Sequence, residues 1–282
     1  MMWWGFAGLP KAQAGDAVLV GAGDIADCGS SGDAATAALV SSISGTVFTL
    51  GDNAYESGTT KQFKNCYGPT WGRFKARTRP AIGNHDYETK GADGYFDYFG
   101  KAAGPRGKGW YSYDAGAWHV IVLNSNCEKV RCDRGSEQER WLRADLAAHK
   151  NRCTLAYWHH ARFVSDSVHG NHPDLQRFWE ALYDYGAELV LSGHAHVYER
   201  FAPQTPWGKA DRQHGIRQIV VGTGGSTLYR FRSPRPHSEA RNANTFGVLK
   251  LTLHNRGYDW KFIPQAGKNF RDSGHGSCHD RP

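Results

Sequence analysis

The chain has 282 residues, a formal net charge of +7, hydrophobic side chains at 40% of its positions and ten Trp. This composition excludes an intrinsically disordered protein, since such chains lack the apolar side chains that build a core. The basic residues are scattered and no apolar run approaches the roughly 20 residues of a membrane span, so we expect neither a nucleic-acid partner nor a membrane-embedded chain.

Residues 1–15 are expected to be a leader remnant or a disordered tail. An apolar stretch from Met1 to Leu9 is followed by Ala12-Gln13-Ala14, which is typical of a signal-peptide cleavage site, while a vector-derived tail is an equal alternative. No internal repeat and no linker interrupts the remainder. We therefore expect residues 16–282 to form one domain.

The first third of the chain predicts a βαβ unit. An apolar strand at 17–21 precedes an Ala- and Leu-rich helix at 33–43 and a second strand at 46–50. This order is typical of a sheet packed between helices. The stretch 59–80 is basic, aromatic and broken by Gly-Pro, so it is predicted to be an excursion outside the core, after which a strand begins at 80.

The rest of the chain continues with alternating elements and then turns all-β. Ser136 and Glu139 predict a capping box that opens a helix ending near 149. The segments 203–215 and 233–244 are expected to be exposed insertions. The predicted strands are 110–114, 118–124, 154–158, 188–191, 217–221, 246–253 and 258–263, with a further helix at 173–185.

Metal-competent side chains follow five of these strands. The clusters are Gly23-Asp24, Gly51-Asp52-Asn53-Ala54-Tyr55, Gly83-Asn84-His85-Asp86, His159-His160 and Gly193-His194-Ala195-His196. Each cluster alone is compatible with an ordinary turn. Open α/β sheets place their ligands at the carboxyl ends of strands, so the repetition predicts one shared site.

The side chains in these clusters indicate which metals would bind. Asp, Asn and His are hard or borderline donors suited to Zn, Fe, Mn or Mg. One ion seldom uses seven such groups, whereas two ions that share a carboxylate would, and paired ions recur in displacement at phosphorus. The seven predicted donors are Asp24, Asp52, Tyr55, Asn84, His159, His194 and His196.

The ordered motifs from Asp24 to His196 resemble the calcineurin-like metallophosphoesterases, and Tyr55 resembles the purple acid phosphatase branch. The chain departs from that branch at Asp24-Ile25-Ala26, where the branch usually reads Asp-x-Gly. The resemblance implies an α/β (α+β) fold, a four-layer αββα sandwich of two mixed sheets flanked by helices. It also implies a dinuclear hydrolase that acts on small phosphate esters by attack of a metal-activated hydroxide.

The same resemblance assigns roles to single residues. Asp24, Tyr55 and His196 would hold one ion, ferric and coloured by tyrosinate in that branch. Asn84, His159 and His194 would hold a second ion, commonly Fe, Zn or Mn, and Asp52 would bridge the two. His85 would contact the phosphate or protonate the leaving alkoxide, and His169 would be a second substrate-facing histidine. No role is assigned to His160.

Several functional alternatives remain open at this stage. An acid-phosphatase-like phosphomonoesterase is the leading hypothesis, with a phosphodiesterase of the same superfamily as the first alternative. A catalytically silent metal- or phosphate-binding protein is the alternative from another class. The metals, the natural substrate and the oligomeric state are not determined by the sequence.

Six cysteines permit fifteen complete pairings, and Cys127 and Cys132 are spaced to close a small loop. None of the Cys pairs has the spacing of a zinc ribbon. Together with the leader-like segment, the even count predicts an oxidising compartment, so we expect a secreted or periplasmic protein.

Overall fold

Two mixed β-sheets form the centre of the computed structural model, which describes residues 15–149 and 153–279. The six strands of the first sheet are β1 (Ala17–Ala22), β2 (Thr46–Leu50), β3 (Thr78–Ala81), β11 (Gly247–His254), β12 (Gly257–Pro264) and β13 (Asp272–Ser277). The order across this sheet is β13-β12-β11-β1-β2-β3. β1, β2 and β3 run parallel, and β11, β12 and β13 continue the sheet antiparallel.

The second sheet has seven strands. They are β4 (Tyr111–Ala115), β5 (Trp118–Val122), β6 (Cys153–Trp158), β7 (Leu189–Ser192), β8 (Tyr198–Phe201), β9 (Arg217–Val221) and β10 (Ser238–Asn242). Their order is β10-β8-β9-β7-β6-β5-β4. β5, β6, β7 and β9 are parallel, so the carboxyl ends of β6 and β7 lie at the same edge of this sheet.

Helices flank the two sheets. They are α1 (Gly32–Ser41), α2 (Thr60–Gln62), α3 (Asp93–Phe99), α4 (Glu137–Ala148) and α5 (Gln176–Asp184). A π-helical turn covers Phe63–Tyr67, and 3-10 turns cover Trp71–Arg77, His85–Tyr87, Lys90–Ala92, Gly100–Ala103 and Pro173–Leu175.

The core has one layer between the sheets and further layers under the helices. Phe48 of β2 packs on Tyr157 of β6 across the space between the sheets, with ring centroids 5.8 Å apart. Leu142 of α4 and Phe178 of α5 are fully buried against the outer face of the seven-stranded sheet. Val40 of α1 is buried with residues of the six-stranded sheet. The predicted four-layer αββα sandwich is confirmed.

The prediction that 59–80 lies outside the core is wrong. Phe63, Tyr67 and Trp71 are fully buried there. Their spacing of four residues places them on one side of a helical stretch, whereas Lys64 between them is exposed. Phe63 also contacts Phe99 of α3, a helix that the sequence reasoning did not predict, with centroids 5.7 Å apart.

Two smaller expectations also change. The segment 233–244 is not a free insertion, because its residues Ser238–Asn242 form the edge strand β10 beside β8. Ser136 does cap α4 by accepting a hydrogen bond from the Glu139 backbone N–H at 3.2 Å. The Glu139 carboxylate, however, accepts from the N–H of Gly135 instead of Ser136, because the Ser136 N–H already donates to Asp133.

Three disulfides select one of the fifteen pairings. They join Cys28 to Cys66, Cys127 to Cys132 and Cys153 to Cys278, so the expected small loop is confirmed. Within 15–149 and 153–279, no helix has the length and apolar character needed to cross a bilayer. The predicted leader remnant lies almost wholly outside the described residues.

Candidate metal centre

The five motif clusters meet where the carboxyl ends of β1, β2 and β3 face those of β6 and β7. The Nδ1 of His159, which follows β6, lies 2.7 Å from the carbonyl oxygen of Leu50, the last residue of β2. The backbone N–H of His194, which follows β7, donates to Asp24 Oδ2 at 2.9 Å. Hydrogen bonds between the two sheets therefore bring the predicted donors into one site.

The first group of donors surrounds the Tyr55 hydroxyl. Its oxygen lies 3.0 Å from Asp24 Oδ1, 3.0 Å from Asp52 Oδ2 and 3.0 Å from His196 Nε2. All four residues are buried, with exposed fractions of 4% or less. These are the residues that the resemblance assigns to one ion, together with the predicted bridging carboxylate.

The second group surrounds the Nε2 atom of His159. That atom lies 3.0 Å from Asn84 Oδ1, 3.2 Å from His194 Nδ1 and 3.3 Å from Asp52 Oδ2. Asp52 Oδ2 thus belongs to both groups. The structure brings all seven predicted donors together, in the two groups that the resemblance implies.

The hydrogen-bonding capacity of these atoms indicates that cations fit between them. His196 Nδ1 and His159 Nδ1 lie against the carbonyl oxygens of Thr227 and Leu50, so each ring donates there and directs its Nε2 atom inward. Burial alone would lower the pKa of His159, but the charge of Asp52 and its hydrogen bond raise that pKa to about 9, so a proton on Nε2 takes the position that a cation would fill between the oxygens of Asn84 and Asp52. That one proton serves only one of the two oxygens. The single Tyr55 hydroxyl proton likewise serves only one of three neighbouring acceptors. Lone pairs that converge in this way suit metal ions.

Electrostatics support the same interpretation. Burial, with the charges of Asp24 and Asp52, raises the pKa of Tyr55 well above 10. A phenolate at this position therefore requires a neighbouring cation. Burial and the surrounding imidazoles lower the pKa of His194 well below 6.5, so that ring is neutral and its nitrogen lone pair is available.

The backbone is bent at the donor positions. Asp24, Asp52 and His194 have φ values of 61°, 48° and 67°, in the left-handed region that non-glycine residues seldom adopt. Such conformations cost on the order of 1 kcal/mol or more each and cluster at functional sites. Gly83 permits the close approach of two loops, because a Cβ there would lie 2.1 Å from Asp52 Oδ1.

His85 lies at the open side of the site. Its side chain is 33% exposed, its Nδ1 lies 2.6 Å from the Glu56 carbonyl oxygen and its Nε2 lies 4.0 Å from Asp52 Oδ2. Its backbone N–H donates to Asp52 Oδ1 at 2.9 Å. With Nδ1 donating to Glu56, the Nε2 atom is left for a ligand beside the donor groups.

His169 also lies beside the donors. Its ring centroid is 3.8 Å from that of His194, and its Nδ1 is 3.3 Å from Asp166 Oδ2. His160, left without a role by the sequence, has its ring 4.4 Å from His194 and its Nδ1 2.8 Å from the Ser125 hydroxyl. His160 therefore belongs to the wall of the site.

Sequence reasoning missed residues that hold the donors in place. Asp86 is fully buried and accepts hydrogen bonds from Gly83 and Asn53, which ties the loop after β2 to the loop after β3. Burial and the charge of Asp52 raise the pKa of Asp86 to about 7. Tyr229 stacks on His196 with centroids 4.2 Å apart. Asp86 could have been suspected from its place in the Gly83 motif, whereas no local pattern marks Tyr229.

Comparison with known proteins agrees with this geometry. The model of the calcineurin-like phosphoesterase family matches residues 6–198. Purple acid phosphatase 15 of Arabidopsis thaliana is 29% identical over 174 residues, which cover 55% of this chain and 32% of that protein. An uncharacterized protein of Mycobacterium tuberculosis is 32% identical over 186 residues, covering 52% of this chain and 35% of the relative. The chain spans about a third of the length of these curated relatives.

Solved structures show the same fold. Purple acid phosphatase PPD1 from yellow lupin (Lupinus luteus) seeds has a TM-score of 0.76 at 20% identity, covering 95% of this chain and 55% of that one. GAP50, the anchor in the inner membrane complex of Plasmodium, has a TM-score of 0.73 at 13% identity, covering 94% and 90%. On the family match, this chain belongs to the calcineurin-like phosphoesterases.

Proposed function

We propose that the chain is a phosphomonoesterase that uses two metal ions to hydrolyse small phosphate esters. The observation that carries this proposal is the position of Asp52 Oδ2, which is common to both donor groups. Two ions that share a carboxylate are the recurring device for displacement at phosphorus. The proposal includes Fe in the group with Tyr55, and Fe, Zn or Mn in the group with Asn84.

When bound, such ions lower the pKa of water and neutralise the charge on phosphoryl oxygens. The protein's own side chains perform the remaining tasks. Asp24, Tyr55 and His196 would hold one ion, while Asn84, His159 and His194 would hold the other. The carbonyls of Leu50 and Thr227 fix the ring tautomers of His159 and His196 through the Nδ1 atoms.

His85 is the proposed proton donor to the leaving alkoxide. Its Nδ1 hydrogen bond to Glu56 orients the ring, and the 4.0 Å separation of Nε2 from Asp52 Oδ2 keeps it beside the donors. A side chain that is 33% exposed can exchange its proton with water between turnovers. His169, oriented by Asp166, is proposed to contact a phosphate oxygen.

Steady-state kinetics with p-nitrophenyl phosphate and bis-p-nitrophenyl phosphate would test the reaction class. We expect a higher kcat/KM for the monoester, and a strong preference for the diester would contradict the proposed activity. Metal binding without turnover of either ester would instead support a silent binding protein.

The role of His85 has its own test. With an alkyl phosphate, His85→Asn should lower kcat by roughly 10²-fold, in the range of general acid catalysis. The loss should be smaller with p-nitrophenyl phosphate, because its leaving group needs little protonation. His275→Asn, at an exposed position on edge strand β13, is the matched control. Equal losses with both substrates would contradict proton donation.

The proposal also includes an extracytoplasmic location. Three disulfides support it, because disulfides persist in oxidising compartments. Localisation of the tagged full-length protein in its native host would test this part separately from the activity.

A further inference from the structure

A basic pocket adjoins the candidate metal centre. It has a volume of about 440 Å³ and lies between the segments 165–170 and 232–236. Arg232 and Arg235 line one side and His169 lines the other. Because the His169 ring is also 3.8 Å from the ring of His194, the pocket lies next to one donor group.

Backbone pairing holds the two walls together. The Ser167 N–H donates to the Arg230 carbonyl at 2.8 Å, and the Arg232 N–H donates to the Ser165 carbonyl at 2.9 Å. Between these bonds, Phe231 packs into an apolar cluster, so its neighbours in the extended segment turn away from that cluster. This alternation places the Arg232 side chain on the solvent side.

Each guanidinium is anchored by one hydrogen bond. Arg232 Nε donates to the Ser167 carbonyl at 3.1 Å, and Arg235 Nε donates to the Val164 carbonyl at 3.3 Å. Across 15–149 and 153–279, neither side chain forms an ion pair with a carboxylate. Both are therefore positioned by the backbone while their terminal nitrogens remain for an anion, and a guanidinium fork matches phosphate geometry.

Asp166 supplies the carboxylate among the lining residues. Its oxygens accept hydrogen bonds from the N–H groups of Val168, His169 and Gly170 at 2.9–3.0 Å. Burial alone would raise the pKa of Asp166, but these bonds and the His169 ring lower it to about 2. The Asp166 carboxylate is thus hydrogen-bonded to the backbone of its own loop. The two positive charges of Arg232 and Arg235 exceed its single negative charge.

We propose that this pocket binds a second phosphate group, so that the preferred substrates are phosphate esters whose leaving group carries another phosphate. The inference rests on the proposed phosphomonoesterase function. In the reaction, water adds to one phosphorus, the ester P–O bond breaks and the leaving oxygen takes a proton. The second phosphate stays bound to Arg232 and Arg235.

A matched pair of sugar phosphates tests this specificity. Phosphate release from fructose 1,6-bisphosphate and from fructose 6-phosphate would be measured for the wild type and for the double variant Arg232→Gln with Arg235→Gln. Arg271→Gln is the matched control, since its exposed guanidinium is also hydrogen-bonded to a backbone carbonyl but lies beside β13. The two sugars differ only in the second phosphate.

We expect kcat/KM for the bisphosphate to be about tenfold lower in the double variant than in the wild type, mostly because KM rises. This is the effect expected from the loss of two partly exposed charge pairs. Hydrolysis of fructose 6-phosphate should be unchanged, and the wild-type preference for the bisphosphate should fall as salt screens the pocket. If the wild type hydrolyses both sugars but the double variant keeps the same ratio, the pocket assignment is wrong. If the wild type hydrolyses no phosphate ester, the proposed function itself has failed.

Discussion

Replacing Asp52 with Asn tests the shared position in the candidate metal centre most directly. The substitution keeps the size of the side chain and leaves one oxygen, which can still accept the hydrogen bond that His85 N–H donates at 2.9 Å. It removes the negative charge of the carboxylate, whose Oδ2 atom lies 3.0 Å from the Tyr55 hydroxyl oxygen and 3.3 Å from His159 Nε2. Both donor groups are therefore weakened at once.

The magnitude follows from the charge that is lost. Two unit charges about 4 Å apart, at an effective dielectric constant of about 20, attract by on the order of 4 kcal/mol, which is about a thousandfold in a dissociation constant. Asp52 is 1% exposed, so water screens it little. We expect Asp52→Asn to weaken the binding of both ions by about 10³ and to lower phosphatase activity at limiting metal by a similar factor.

The assay combines metal titration with thermal unfolding. In the wild type, metal at about 100 times its dissociation constant should stabilise the fold by about 2.7 kcal/mol, and this gain should be absent from Asp52→Asn at the same concentration. Asp97→Asn, with a side chain that is 58% exposed, is the control and should behave as the wild type. Retention of both ions and full activity by a folded Asp52→Asn protein would refute the shared-carboxylate reasoning.

Three further predictions concern other parts of the molecule. Tyr55→Phe keeps the aromatic ring, whose centroid lies 4.7 Å from that of His85, but removes the hydroxyl oxygen of one donor group. Metal analysis should therefore show about one ion per chain instead of about two, with loss of any visible tyrosinate band. Two retained ions would contradict this prediction. Replacing Cys153 and Cys278 by Ser removes a disulfide between residues that are 125 positions apart. The free energy of unfolding, measured in urea, should fall by about 2–5 kcal/mol with little change in kcat. An unchanged urea concentration at the unfolding midpoint would contradict this prediction. Burial alone would lower the pKa of His119, but its hydrogen bonds to Asp145 and Asp114 raise it above 6.5, so its stabilising charge is fully present below pH 6.5 and is lost as pH rises through the raised value. The destabilisation by His119→Asn in chemical denaturation should therefore be larger at about pH 5.5 than at about pH 9, and a loss independent of pH would contradict that ion pairing.

Much of the candidate site was predictable because its signal is local. Each predicted donor follows a strand by a few residues, and the strand pattern could be found from apolar runs bounded by Gly and Asp. This position directly after a strand is what predicts Asp24, Asp52 and Asn84 as donors. The resemblance then supplied the division into two groups, and the distances around Tyr55 and His159 Nε2 now support that division.

The prediction for 59–80 is wrong because it rests on the composition of the segment and not on the spacing of its aromatic residues. Basic residues and Gly-Pro suggested exposure, yet Phe63, Tyr67 and Trp71 recur every four residues and reach the core from a helical stretch. Edge strand β10 was missed for a related reason. None of the five β10 residues is fully buried, so the strand lacks the apolar run that marks a central strand.

The sequence by itself determined most of the central strands and the even number of cysteines and predicted the candidate donors, since these depend on periodicity, counting and residue chemistry. Only the tertiary structure decided how the other four cysteines pair, which buried groups hold the donors, and where Arg232 and Arg235 lie relative to His169. Several of those relations join residues that are far apart in the chain, such as Cys153 and Cys278, which are 125 positions apart, or Ser165 and Arg232. Contacts of that kind arise when the sheets pack together, and no local pattern in the sequence encodes them.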